Sequence, residues 1–195
     1  MTKCVVDHAA DARLDQSLVA RVLLAEDRRA FEQLLRRHQG RVRAQLRRLL
    51  HGDDAKADDL AQETFLLAWR KLHQFRGEAR FSTWLFRIAY SCFLQAHRKR
   101  SSFADEIDCG ALDHMSPPPH AIDLRLDVER AMRLLSAAEQ IVLLHCVQLG
   151  LSHDEAAYVL AMPLGTVKSH AARGKTKLRS LLADWQPALQ EERSS

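Results

Sequence analysis

The sequence predicts an all-α protein of two small helical domains joined by a flexible linker, and three observations carry that expectation. Apolar residues recur at three- and four-residue spacing, and no alternating apolar and polar run is long enough for a strand. Glycine and proline are scarce, at 7 and 5 of 195 residues. Three of those prolines are consecutive, Pro117 to Pro119, within SSFADEIDCGALDHMSPPPHAI, which marks 101–122 as the linker. A chain this long with 47% apolar residues can bury two small cores but no large catalytic one. The expected order is an N-terminal extension over 1–17, a helical domain over 18–100, the linker, a second domain over 123–183 and a tail over 184–195.

The first domain starts near Leu18 and runs through Val22, Leu23, Phe31, Leu34 and Leu35 into an arginine-rich segment ending at Leu50. Another helix opens in the acidic stretch ADDLAQETFLLAWRKL, with Leu60, Thr64, Leu67 and Ala68 as its buried stripe. Asp58, Asp59, Gln62, Glu63 and Arg70 point elsewhere, and the two aspartates near its start suit the helix dipole. A third helix begins at Ser82, places Trp84, Leu85, Ile88, Ala89 and Cys92 on one face, and ends in HRKR at 97–100. Eight of the twelve aromatic residues fall between Phe65 and Phe93. Phe65, Trp69 and Trp84 are assigned to the core, where large aromatics are drawn. Phe75, Arg76, Arg80 and Phe81, in and after the loop HQFRGEARFST, are assigned to stacking on unpaired bases, with Gly77 letting the backbone approach a strand.

The second domain ends in LSHDEAAYVLAMPLGTVKSHAARGKTKLRSLL, two short helices around a turn, the outline of a helix-turn-helix reader of DNA. Gly150 ends the preceding helix, and Ser152 with Glu155 forms a capping box in front of Ala156, Val159 and Leu160. In the helix opening at Pro163, Leu164, Val167, Ala171 and Gly174 make the packed face. Lys168, Ser169, Ala172, Arg173 and Lys175 are left facing a major groove, where bases or phosphates are their targets. The competing reading is a solvated basic face on an ordinary helical hairpin, and the capped turn weighs against it.

Net charge is +4, a modest basic excess that suits a polyanion without identifying one. Its distribution is more telling: eight arginines between Arg28 and Arg48 stand against Glu32, whereas Asp53 to Glu63 holds five acids against Lys56. Cys4, Cys92, Cys109 and Cys146 form no CxxC pair, so reduced thiols are expected. His8 after Cys4 and His114 after Cys109 lack the second close-spaced ligand pair of a closed zinc site, so no metal and no cofactor is expected. No run is long and apolar enough for a bilayer, and MTKCVVDHAADARLDQ has polar breaks where a secretory signal is apolar. A cytoplasmic location without membrane contact follows as the expectation.

DDLAQETFLLAWRKL followed by FRGEARFSTWLFRIAYSCFLQAHRKR closely resembles the first domain of extracytoplasmic-function sigma factors, the short class of bacterial RNA polymerase specificity subunits. The carboxyl-terminal segment, with its acid-Ala pair and GTVKS, is similar to that family's second domain, and the two matches span about 18–183 in the family's order. The resemblance implies that Asp58, Asp59, Gln62 and Glu63 dock on a coiled coil of the polymerase β′ subunit. It also implies that Phe75, Arg76, Arg80, Ser91, Gln95, Arg98 and Lys99 hold a minus-ten element with bases extracted from the duplex. By position, Lys168, Ser169, Ala172, Arg173 and Lys175 then face the minus-thirty-five element. Tyr90-Ser91 and Gln95 stand where the family usually has Asn and commonly an acid, which bears on promoter preference. Implied partners are core RNA polymerase, through its β′ coiled coil and β flap, promoter DNA, and an anti-sigma factor where one exists. The linker extends to at most ~70 Å, about two duplex turns, so two promoter elements can be bridged at once.

Two function classes compete with such an initiation factor. A free-standing helix-turn-helix regulator would bind an operator without polymerase. An enzyme would need a phosphate loop, a paired metal motif or a nucleophile elbow, and the chain has none of these.

Overall fold

A computed structural model describes residues 8–103, 128 and 130–182, and every regular element among them is helical. The chain divides into two compact units, one holding the helices up to Phe103 and the other the bulk of the chain that follows. Most of the expected linker, from 104 to 122, and the tail over 184–195 lie outside the described residues, as do Cys4, Cys109 and His114.

The first unit is a bundle of four helices: α1 (His8–Ala25), α2 (Arg28–Leu49), α3 (Asp54–Lys71) and α4 (Phe81–Phe103). The first helix opens at His8 rather than near Leu18, so 8–17 of the expected N-terminal extension is already helix. Its polar turns have partners on α2: the Arg37 guanidinium donates to Asp11 Oδ1 at 2.7 Å and to Asp15 Oδ1 at 2.9 Å, and His38 Nε2 lies 2.9 Å from Asp15 Oδ2. Burial alone would raise the Asp15 pKa, but the hydrogen bonds from His38 and Arg37 outweigh it and hold the carboxyl below its ordinary value.

Arginine-rich α2 is nevertheless a good amphipathic helix. Asp27 caps it by accepting from the Ala30 amide at 3.1 Å, and Ala30, Leu34, His38, Val42, Leu46 and Leu49 make a narrow buried stripe that leaves the arginines outside. Gly52, at φ +92°, turns the chain by donating its amide to the Arg47 carbonyl at 2.8 Å. Asp53 then caps α3 through the Lys56 amide. The expected stripe on α3 is present at Leu60, Thr64 and Ala68, while Leu67 is half-buried and Ala61 and Phe65 complete the face. The buried Thr64 hydroxyl donates to the Leu60 carbonyl at 2.7 Å. On α4, Phe81, Leu85, Phe86, Ile88, Ala89 and Cys92 enter the core, and Gln45 of α2 donates to the Phe86 carbonyl at 3.2 Å. Burial raises the pKa of the Cys92 thiol, which therefore behaves as a small core residue.

In the later part of the chain a helical stretch at 130–133 precedes α5 (Ala137–Leu143), a π-helical turn (Leu144–Gln148), α6 (His153–Leu160) and α7 (Leu164–Leu181). Ser136 and Glu139 close a capping box on α5. The π turn ends where Leu149 donates to the Leu144 carbonyl, and Gly150, at φ +68°, stops the helix as expected. Inside that turn His145 is wholly buried with Nδ1 donating to the Ile141 carbonyl at 2.8 Å, and burial lowers its pKa to about 4. The Ser152–Glu155 capping box is formed in both directions, at 2.9 and 3.1 Å. Val167, Ala171 and Gly174 are buried along α7, and a Cβ added at Gly174 would lie 2.8 Å from Leu143 Cδ1 of α5.

Candidate nucleic-acid interface

Pro163 starts α7 with its carbonyl accepting from the Thr166 and Val167 amides at 3.0 and 3.1 Å, so the helix is entered without a side-chain cap. With Val167, Ala171 and Gly174 turned inward, Lys168, Ser169, Ala172, Arg173 and Lys175 are all exposed on the remaining face. Arg173 is not a free arm: its Nη2 lies 3.1 Å from His170 Nδ1 and its Nε 4.0 Å from Glu139 Oε1. Such bracing lowers the rotamer entropy lost when a guanidinium engages a planar acceptor. Lys177, one turn on, is exposed along its stem but its head is paired. Its ammonium donates to both Glu139 oxygens, at 3.0 and 2.9 Å, although Glu139 is buried.

The loop between the Leu72–Gln74 turn and α4 carries the second cluster. Gly77 adopts φ +75°, a conformation that side-chain-bearing residues rarely take, and Arg76 and Arg80 are exposed on either side of it. Phe75 is half-buried and packs on Phe81 at 5.8 Å and on Trp84 at 5.3 Å between ring centroids, while Phe81 and Trp84 are 5.7 Å apart. Two sequence expectations are corrected here. Phe81, expected to stack on bases, is buried at 4% exposure under the other two rings, with His38 on its far side at 5.3 Å. Trp84, expected in the core, is half-buried and forms a wall of the open cluster with Phe75. Position 81 is the first residue of α4, where the ring turns back onto the bundle. Further along α4, Ser91, Gln95 and Arg98 are exposed, Gln95 donates to the Ser91 hydroxyl at 3.4 Å, and Tyr90 is buried. Lys99 is within α4, but its side chain lies outside the described residues.

The acidic face of α3 is divided by its neighbours. Asp58 is bridged by Arg43 of α2, Nε to Oδ1 at 2.9 Å, and Asp54 by Arg47, so the charge runs seen in the sequence partly neutralise each other across the α2–α3 pair. Asp59, Gln62 and Glu63 remain exposed, on the same stretch as the 60%-exposed Leu66 and the 40%-exposed Trp69. Trp69 was expected in the core. It instead meets Phe31 edge to face at 4.9 Å and lines a groove of about 490 Å³ with Arg28, Phe31, Gln62 and Leu66. Sequence reasoning missed this groove, whose only signal was Leu66 falling one turn after Gln62 on the polar side. Among the described residues no cluster of three or more potential metal ligands occurs, and no helix is long and apolar enough to cross a membrane.

Two families match the two halves of the chain: sigma-70 region 2 over residues 34–103 and sigma-70, region 4 over 125–178. Among curated relatives, the RNA polymerase sigma factor NccH of Alcaligenes xylosoxydans xylosoxydans is 32% identical over 182 residues, covering 88% of this chain and 96% of that protein. The ECF RNA polymerase sigma-E factor of Salmonella typhimurium is 34% identical over 175 residues, covering 83% and 90%. Among solved structures, the sigma factor RpoE in complex with the anti-sigma factor NepR from Bartonella quintana has a TM-score of 0.64 at 28% identity, covering 78% of this chain and 96% of that one. CnrH in complex with the cytosolic domain of CnrY has a TM-score of 0.61 at 28% identity, covering 90% and 98%.

Proposed function

The chain belongs to the extracytoplasmic-function sigma factors of RNA polymerase, and on that premise we propose how its residues divide the work of promoter recognition and initiation. Sigma factors bind core polymerase and promoter DNA, direct where transcription starts and leave bond formation to the polymerase. The open Phe75–Trp84 pair flanked by exposed Arg76 and Arg80 carries the assignment of strand capture. A base leaving the duplex costs a few kcal/mol, and stacking on half-buried rings beside guanidinium groups offsets it once the duplex breathes. Buried Phe81 supports the pair from beneath rather than meeting DNA. Ser91, Gln95, Arg98 and Lys99 extend the same DNA face along α4.

Upstream, Lys168, Ser169, Ala172 and Arg173 enter the major groove of the minus-thirty-five element, with Arg173 suited to bidentate contact with guanine and Lys175 to phosphate. For polymerase we assign Asp59, Gln62 and Glu63 as the charged part of the docking face, continued by Leu66, Trp69 and Phe31. Asp58 contributes less, since Arg43 already engages it. An anti-sigma protein fits as a further partner, because two similar sigma factors are solved with one or with a cytosolic domain bound. Promoter work places the chain in the cytoplasm.

Run-off transcription with purified core polymerase on genomic fragments tests the reading. Discrete start sites that require this subunit are expected. Operator binding that is unchanged by core polymerase, with no transcript, would instead favour the free-standing regulator.

A further inference from the structure

Glu139, in the first turn of α5, is in an unusual position for a carboxylate. Its side chain is 3% exposed, yet it caps α5 through the Ser136 amide at 3.0 Å and accepts twice from the Lys177 ammonium, with Arg173 Nε at 4.0 Å. A buried carboxylate left without a cation is costly, so the pair is held together by the penalty of separating it. The Lys177 hydrogen bond comes first among the causes that lower the Glu139 pKa to about 2, and it remains ionised throughout the physiological range. Gly174 packs directly beside it: a Cβ there would lie 3.5 Å from Glu139 Cβ, and this close crossing brings Lys177 within reach. Of the exposed cations on α7, then, Lys168 and Lys175 form no ion pair with an acid among the described residues, whereas Lys177 is paired with the buried Glu139 carboxylate.

We propose that Glu139 is a specificity-determining residue of the recognition helix: it withholds Lys177 from the DNA backbone and so removes one of the helix's sequence-independent phosphate contacts. The inference rests on the assignment of α7 to the minus-thirty-five element. A lysine on phosphate strengthens binding to any sequence, because each phosphate neutralised adds about 0.9 to the slope of log K against log salt. Withholding one such contact lowers affinity for unrelated DNA while leaving base readout intact, which widens the ratio between the correct element and a scrambled one.

The test uses polymerase holoenzyme containing the full chain, on a duplex promoter fragment and on one with a scrambled upstream element. In wild type, acetylation of Lys168 should be blocked by promoter DNA, whereas Lys177 should react slowly without DNA and be unchanged by it. Lys177 reacting readily in free holoenzyme and protected by promoter would overturn the proposal, and this measurement needs no variant. Glu139→Gln keeps a side chain that can cap α5 and frees Lys177. The salt slope should steepen by about one and the promoter-to-scrambled ratio fall several-fold, by up to about tenfold, with both restored in the Glu139→Gln/Lys177→Gln double variant. A slope unchanged by Glu139→Gln in a folded protein would refute it. Arg173→Ala, read only by the promoter-to-scrambled ratio, tests the base-reading assignment separately, and the lysine reactivities stand whatever that arm returns.

Discussion

Replacing Gly174 by alanine sets two effects of known sign against each other. Alanine in a helix interior is about 1 kcal/mol more favourable than glycine. The added methyl, however, would lie 2.8 Å from Leu143 Cδ1 and 3.2 Å from its Cγ. Carbon atoms at rest sit ~3.5–4.0 Å apart, so the contact is deep in the repulsive wall. Leu143 is only 2% exposed, hemmed in on all sides, and cannot swing its methyl into solvent. Overpacking of this kind costs about 1–3 kcal/mol, so after the propensity gain the net expectation is a loss of about 0–2 kcal/mol, centred near 1. In a domain of this size a loss near 1 kcal/mol lowers Tm by roughly 4–8 °C. The matched control is Gly40→Ala in α2, where nothing lies within 4 Å of the new methyl and the propensity gain should appear undiminished. Thermal unfolding by circular dichroism reads both. If Gly174→Ala raises Tm as Gly40→Ala does, Leu143 has room to repack and the close α5–α7 crossing is not what holds the recognition helix in place.

Acid should weaken the second unit before it affects the first. His145 is neutral and buried when folded, with a pKa of about 4, whereas the unfolded chain takes up its proton near 6.5; stability is therefore lost between those values, by about 2 kcal/mol from pH 7 to 5, and His145→Gln should flatten the dependence in a pH series of melts. Below pH 4.5 Glu139, held at about 2 chiefly by Lys177, adds a further loss of the same sign. In the promoter-opening loop, Phe75→Ala, Arg76→Ala, Arg80→Ala and Trp84→Ala should slow the appearance of permanganate-reactive thymines and be rescued on a premelted bubble; Phe81→Ala should cost roughly 3–5 kcal/mol of stability and not be rescued. Normal opening by the first four variants would remove the loop from the mechanism. On α3, charge reversal at Asp59 and Glu63 should weaken core binding at unchanged helicity, and Asp58→Lys should do less; equal losses at 58 and 59 in a pull-down titration would contradict the division made by Arg43.

Features that close within one helical turn were legible in the sequence. The Ser152–Glu155 box, the stop at Gly150, and the inward face at Val167, Ala171 and Gly174 depend on spacing alone and stand as expected, with Leu164 of that face half-buried. The Ser136–Glu139 box has the same signature and could have been found the same way. Charge and aromatic assignments were less legible, because they depend on which helices cross and where. Asp58 differs from its neighbour Asp59 only because Arg43, fifteen positions upstream, comes to lie against it across the α2–α3 crossing. By spacing Lys177 is one more exposed lysine of α7, and only the fold shows that a carboxylate 38 residues away pairs with it. Phe81 and Trp84 exchanged their expected roles for a related reason: periodicity says that both lie near the core, but only the packing of His38 and Phe75 around the start of α4 decides which ring is covered. The first turns of α1 followed the same rule, since Asp11 and Asp15 gain their reason to be helical from Arg37 and His38 on the next helix. Local hydrogen bonding and apolar spacing thus determined the helices and their buried faces, while the desolvation and pairing of charged and aromatic groups, which require partners distant in sequence, were decided by the tertiary structure.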